Sequence, residues 1–395
     1  MKRAAAILRL ACPLVAVAVA SAWPGAVRAR AADWLPWRKG ETPAAPAEAS
    51  PATGSPTPSE AASGATTPGA TLTPGAPKVA ALPGAPSWTR AWGENTLLDP
   101  PIANQAKLVD IVREGIRPER ILRVQVLLDR AHYSVGEIDA AYGSHTREAV
   151  AALQTVHGRK PTGVVDELIW DDLRADTAPI LVRYRVTARD LAGPFARVPS
   201  DMMRKASLSY LGYESPLEGL GEKFHSSPEL LVRLNPGASF HSEGEEIVVP
   251  NVIRSRLARP AKIVVDGAKR TVSALDEEGR VVARYPATVG SVHDPLPVGD
   301  WEILSRTSYP AFYYNPRLFW DAKPFHHAVR IAPGPNSPVG VVWIELSKEH
   351  YAIHGTPEPS MISRTSSHGC IRLTNWDAAE LAAAVVPGTP AILRK

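Results

Sequence analysis

The 395-residue sequence predicts a multidomain chain. A mainly antiparallel β domain, sandwich-like in its strand pattern, is expected at the C-terminus, preceded by a small all-α domain and a short α+β module. Three observations carry this. Apolar residues alternate with period two from Ala261 onward; they recur at helical spacing at Ile121, Val124, Leu127 and Leu128 and again at Ala149, Val150, Leu153 and Val156. Between these blocks, from about Arg183 to Pro250, strand-like runs at each end enclose helical signals.

At the N-terminus, Met1-Lys2-Arg3, an Ala/Leu/Val-rich run to about Ala22 and an A-x-A-like Ala29-Arg30-Ala31 predict an export signal over residues 1–31. Arg9 inside the run and Pro24-Gly25 after it favour a cleaved peptide, so no stable membrane span is expected after cleavage. This segment holds Lys2, Arg3, Arg9, Arg28 and Arg30 and no acid, so its loss lowers the net charge of +4 by five, to −1. The basic balance therefore implies no nucleic-acid partner. Residues 32–96 are dominated by Pro, Ala, Thr, Ser and Gly, and bury too little apolar area to offset backbone ordering. They read as a disordered linker.

The helical domain is predicted over 97–177. Its two amphipathic helices flank a turn-rich loop, Gly136 to Gly143, and Asp166 caps a short third helix carrying Leu168, Ile169, Trp170 and Leu173. With Gln125, Thr146-Arg147, Gln154, His157-Gly158 and Thr162-Gly163-Val164-Val165-Asp166, this order resembles the small helical peptidoglycan-binding domain. The chain departs from that family at Ala140, where glycine usually follows the loop aspartate.

Residues 183–250 open on Tyr184-Arg185-Val186 and close on Glu246-Ile247-Val248-Val249-Pro250. Ser227-Pro228 is a helix start and Gly237 a stop. The order resembles a LysM glycan-binding module, without its usual Gly-Asp-Thr-Leu and with a long spacing to the second helix. A sugar site and a structural remnant both stand as readings.

In the β domain, 259–395, strands are expected at Lys262–Val265, Thr271–Leu275, Val281–Val289, Trp301–Leu304, Val341–Leu346, Tyr351–His354 and Ala391–Leu393. Asp276-Glu277-Glu278-Gly279 turns a hairpin, and Thr374 with Asp377 three residues on opens a helix through Ala384.

Cys12 leaves with the signal, so Cys370 remains without an intramolecular disulfide partner. Its setting is Ser366-Ser367-His368-Gly369-Cys370-Ile371-Arg372, with His354 sixteen positions upstream. A thiol attacks acyl groups as thiolate, and at its unperturbed pKa of roughly 8.5 it needs a neighbouring base. His354 ends a short apolar strand and is followed by Gly355, which places its ring at a strand tip facing the Cys370 loop. It is the expected general base and acid, with His368 orienting the loop. Gly369 lets backbone approach a substrate, and the Gly369 and Cys370 N–H groups are candidates for an oxyanion hole. Arg372, in phase with Cys370 on an extended chain, is placed to hold a carboxylate.

His354-Gly355, Ser367-His368-Gly369-Cys370-Ile371-Arg372-Leu373-Thr374-Asn375-Trp376-Asp377, Pro333 to Gly340 and Trp343-Ile344 resemble the YkuD-type L,D-transpeptidase catalytic domain. The resemblance implies cleavage between the third and fourth residues of a peptidoglycan stem, a thioester on Cys370, transfer of the acyl group to an amine and acylation by carbapenems. It implies His354 as proton carrier and Ser367, His368, Gly369 and Arg372 as support, with no cofactor and a periplasmic or envelope location. Its partners would be stem peptides, glycan and possible lipoprotein acceptors. Ala352 and Ser363 stand where relatives often carry glycine.

Hydrolysis by a carboxypeptidase or cross-link hydrolase on the same fold, and wall binding without catalysis, are the alternatives. Zinc at His350 and His354 is disfavoured, because positions i and i+4 lie roughly 13 Å apart along a strand. Phe312, Tyr313, Tyr314, Phe319, Trp320 and Phe325 read first as a loop packing its own small core; the sharper reading makes Tyr313 and Trp320 a groove for the donor stem. His326-His327 is expected on that loop's solvent face.

Overall fold

The computed structural model describes residues 117–395 and Asn104. The predicted export signal and the linker over 32–96 lie outside the described residues, as does residue 97–116 sequence other than Asn104.

Three helices follow: α1 (Pro118–Arg130), α2 (Ser144–Val156) and α3 (Glu167–Leu173). Proline opens α1 where its missing N–H costs nothing. Asp166 caps α3 by accepting the Ile169 N–H at 3.0 Å. Gln125 and Gln154 scaffold the loops from inside: Gln125 donates to Asp139 and accepts from the Ala140 N–H (both 2.8 Å), and Gln154 accepts from the Gly163 N–H (2.9 Å). Ala140 sits at φ +60°, a conformation glycine adopts without strain, which accounts for where this departure from the family pattern falls.

Next, β1 (Leu181–Arg185) pairs antiparallel with β2 (Glu246–Pro250). Between them run α4 (Met202–Ala206), α5 (Pro216–Lys223) and α6 (Pro228–Leu234). Leu220, Phe224, Leu231 and Ile247 form a small core under the strand pair. The long spacing noted in the sequence is an excursion: Met202, Met203 and Ala206 of α4 pack with Leu211 on Tyr314, Ile331 and Ala332 of the β domain.

The β domain contains β3 (Lys262–Asp266), β4 (Thr271–Leu275), β5 (Val281–Pro286), β6 (Gly299–Ser308), β7 (Phe312–Tyr314), β8 (Val329–Ile331), β9 (Val342–Leu346), β10 (Ala352–His354), β11 (Ile371–Arg372), α7 (Asn375–Ala384) and β12 (Pro390–Arg394). Eight strands form one sheet in the order β11-β10-β9-β6-β12-β3-β4-β5, antiparallel except for β10–β11 and β12–β3. β6 joins its halves: Gly299–Glu302 pair with β12, and the rest pair with β9 after a bulge between Ile303 and Ser305. The sheet curls until its edges meet, because Thr288, just beyond β5, exchanges two 2.9 Å backbone hydrogen bonds with Arg372 of β11. Both halves and α7 share one core, including Val265, Val272, Ile344, Ile353, Ile371 and Leu381.

Three strand expectations change. β5 stops at Pro286, which has no N–H to donate, instead of Val289. β6 is longer than Trp301–Leu304, its exposed second half hiding the alternation. The aromatic region contains the three-residue pair β7–β8. His326 is not on the solvent face: its ring meets the Tyr314 hydroxyl (2.7 Å) and Asp201 (3.2 Å), while His327 is exposed.

The helical domain covers the outer edge of β5, where Ser134 N–H donates to Arg284 O (2.8 Å) and Arg284 N–H to His132 O (2.9 Å). Both bonds tie two sequence-distant modules through backbone alone.

Candidate active site

The parallel pair β10–β11 sets Ile353 opposite Ile371 and His354 opposite Arg372. The two isoleucines are buried in the shared core. Side chains alternate along a strand, so His354 and Arg372 take the opposite face, together with Ala352 one pleat back, while Cys370 lies in the bend just before β11. One pleat is roughly 6.6 Å along the strand.

His354 is 4 % exposed and stacks on Trp343, ring centroids 5.6 Å apart and planes 17° apart. Its Nδ1 lies 2.7 Å from the Gly355 carbonyl oxygen. A carbonyl only accepts, so Nδ1 carries the proton and Nε2 keeps its lone pair. Burial, then the Arg372 charge, pushes His354 down to about 3. Burial also pushes the Cys370 thiol up, against the pull of the Ala352 N–H and Arg372. Both shifts favour a neutral thiol and a neutral imidazole at rest. The thiol makes a long contact, 3.6 Å, with the His350 carbonyl oxygen.

The supporting residues surround this pair. Ser367 is buried, takes a 3.1 Å bond from its N–H to Gly290 O, and donates its hydroxyl to the Cys370 carbonyl. Gly369 sits at φ +97° with the Tyr351 ring so close that a Cβ would meet it at 2.6 Å. His368 is held by Asp321 (2.9 Å) and by the edge of Phe319. Arg372 is partly buried, and its Nε finds no hydrogen-bond partner among the described residues. Ser363 adopts φ +60°, and its hydroxyl donates to Ala287 O at 3.0 Å, a bond glycine could not make. Ala352 is an ordinary buried strand residue. Among the described residues, no group of three or more His, Cys, Asp or Glu side chains is placed to hold a metal ion.

Residues 260–393 match the L,D-transpeptidase catalytic-domain family, and residues 117–173 match a peptidoglycan-binding domain family. The protein named L,D-transpeptidase YkuD in Bacillus licheniformis is 34 % identical over 175 residues, 44 % of this chain and 90 % of the relative. The chain belongs to the YkuD family of L,D-transpeptidases. Its namesake in Bacillus subtilis is 30 % identical over 174 residues, again 44 % of this chain and 90 % of that one. A solved L,D-transpeptidase structure from Xylanimonas cellulosilytica aligns at TM-score 0.32 and 17 % identity, covering 72 % of this chain and 98 % of that one.

In this YkuD-family chain the aromatic region divides. Phe312, Tyr314 and Phe319 pack inward, though not in a core of the loop's own: they share it with Leu211 and α4 of the middle module. Trp320 is 60 % exposed, meets the His293 ring at a tilt with centroids 4.4 Å apart and lies 5.8 Å from the His368 ring, beside the Cys370 loop. Tyr313 is exposed on β7 and has no ring contact with that loop among the described residues. Between the middle module and Pro335 a cavity of about 540 Å³ is lined by Phe195, Tyr210, Tyr213, Arg189 and Lys223. Sequence reasoning named Trp343 only as a family position and did not foresee its stacking on His354. An aromatic residue on a strand carries the same signal whether it packs a core or a catalytic ring.

Proposed function

We propose that this chain is an exported peptidoglycan L,D-transpeptidase in which Cys370 is the nucleophile and His354 the proton carrier. The pairing of His354 with Arg372, two residues along the chain from Cys370, carries the reading, because the Arg372 charge acts on both the thiol and a base whose proton-bearing nitrogen is already occupied. His354 Nε2 takes the thiol proton as sulfur attacks the carbonyl carbon of the third stem residue. The Gly369 and Cys370 N–H groups receive the oxyanion. As the amide bond to the fourth residue breaks, Nε2 returns the proton to the departing amine, leaving a thioester. An incoming amine attacks the thioester, loses its proton to Nε2, and sulfur leaves as the thiol. Arg372 holds a substrate carboxylate. The peptidoglycan-binding family match supports the wall polymer as partner, and among the described residues no helix is long and apolar enough to cross a membrane.

Incubation with disaccharide-tetrapeptides and separation of products by mass tests this. Cross-linked dimers with release of the fourth residue are expected; tripeptide monomers alone would move the chain to the carboxypeptidases, and a lipoprotein-derived lysine peptide offered as acceptor tests protein anchoring.

The pair's resting state gives a pH profile. A histidine held down to about 3 is unprotonated across pH 5 to 8, and the raised thiol keeps its proton over most of that range. The rate of carbapenem acylation, followed by intact mass, should therefore change by less than about three-fold between pH 5 and 7.5, where a base of ordinary pKa, roughly 6.5, would lose more than ten-fold. A steep acid limb near pH 6.5 would show a base of ordinary pKa instead and would overturn this resting state.

A further inference from the structure

Helix α5 presents Glu218 and Glu222, one turn apart, to two buried asparagines of the catalytic domain. Asn336 donates to Glu218 (2.8 Å) and to the Gly212 carbonyl (3.0 Å). Asn375, the first residue of α7 and 2 % exposed, donates to both oxygens of Glu222 (2.8 and 3.1 Å) and to the Pro335 carbonyl (3.2 Å). Tyr213 donates its hydroxyl to Glu222 from the other side at 3.1 Å.

The two clamps end differently. The Asn375 carboxamide oxygen accepts the Val341 N–H (3.1 Å) and presses on Gly340 and Gly355, leaving no room for a Cβ at either. Gly355 is the residue whose carbonyl holds the His354 ring through Nδ1. A continuous line of contacts therefore runs from the middle module through Glu222, Asn375 and the Gly355 peptide to the imidazole. The Asn336 side chain stays with α5 and the Leu211–Gly212 segment.

We propose that Glu222 is a positioning residue for His354, so that the middle module frames the active site in addition to any part it has in wall binding. Without Glu222, the Asn375 amide keeps one acceptor, Pro335 O, for two N–H groups and tilts within its socket. The Gly355 carbonyl and the imaginary line to Nε2 tilt with it, and small misplacements of a catalytic group cost rate steeply. Burial pushes the Glu222 carboxyl up to about 8, so glutamine is a close replacement for it near neutral pH.

The inference rests on His354 as the proton carrier. In the full chain, Glu222→Ala is expected to lower kcat about ten-fold with KM within about two-fold, and to shift the downfield proton resonance of His354 Nδ1–H. Glu222→Gln, which keeps an acceptor oxygen, should restore kcat to within about two-fold of the native chain. Glu218→Ala removes the neighbouring clamp and should cost melting temperature while leaving kcat within about two-fold. Equal losses of kcat in Glu218→Ala and Glu222→Ala, or a Glu222→Ala chain altered only in melting temperature, would overturn the inference. Should Glu222→Ala fail to fold, Glu222→Asp, which withdraws the carboxylate by one methylene, is read against the same outcomes. An active His354→Gln chain would sink the catalytic reading itself; an inactive one beside a fully active Glu222→Ala would sink this inference alone.

Discussion

A Cys370→Ala chain is expected to gain no mass from a carbapenem and to release nothing from a tetrapeptide stem, whereas the native chain should do both. Removing a covalent nucleophile costs about 10⁴-fold or more in rate, since what remains is binding and the oxyanion donors. The fold should survive the change. Cys370 is half-buried, and its thiol makes a long contact with the His350 carbonyl and a weak one with the Ala352 N–H. Its loss is worth about 1 kcal/mol, or a melting shift of about 2 to 4 °C in a domain of this size. Ser367, the nearest hydroxyl in sequence, is no substitute, because it is buried and commits its proton to the Cys370 carbonyl. Continued acylation of the alanine chain, located by peptide mapping, would move the nucleophile elsewhere and take the proposed mechanism with it.

The candidate nucleophile and its candidate base were legible because their signals are local. Cys370 and Arg372 are two positions apart, in phase on an extended chain, and His354-Gly355 closes a short strand, which is enough to expect the imidazole at a strand tip facing the Cys370 loop. What oriented the base was not legible. The partner of His354 Nδ1 is a backbone carbonyl, and every residue has one. Glu222 and Asn375 lie 153 positions apart, in modules with separate cores, and neither residue's neighbours signal the other. Asp377 shows the same limit at closer range. As the acidic position of a capping pattern it was expected to serve its own helix, and its N–H does donate to Thr374 (3.2 Å). Its carboxylate instead accepts the Ser134 hydroxyl at 2.7 Å, from the helical domain. At Ala140 and Ser363 the sequence showed a departure from glycine, while the left-handed backbone that gives it meaning needed φ. β7 and β8, three residues each, are too short for an alternation to register.

Asp129→Ala is expected to destabilise the chain by about 3 to 5 kcal/mol, the cost of leaving buried charge without its partner. Asp129, next to last in α1, has 0 % exposure and faces His225 Nδ1 (3.1 Å) from the middle module and Arg254 Nη1 (3.3 Å) from the segment that leads into the β domain. Arg254 continues to Glu380 of α7 (2.8 Å), which also holds His132 (2.9 Å) and the Tyr285 hydroxyl of β5 (2.8 Å). Every module thus sends a polar or charged group to one dry point, and the alanine chain strands the Arg254 charge there and leaves His225 Nδ1 without its carboxylate partner. The exposed Lys323–Asp201 pair, at a similar 3.0 Å, should be worth under about 1 kcal/mol when Lys323 is truncated, because water screens it. Acid acts on the same point. Burial raises the Asp129 carboxyl, but His225 and Arg254 outweigh it and hold the group below the ordinary carboxylate value. Its folded pKa is therefore lower than its unfolded one, near 3.9, so its stabilisation is complete above that value and is lost as pH falls through the folded one. Urea unfolding at pH 7 and pH 3 separates the cases: the native chain should lose Asp129's share at the lower pH, and the gap between native and Asp129→Ala midpoints should narrow. A gap unchanged between the two pH values would mean that the carboxylate's charge is not what joins the modules.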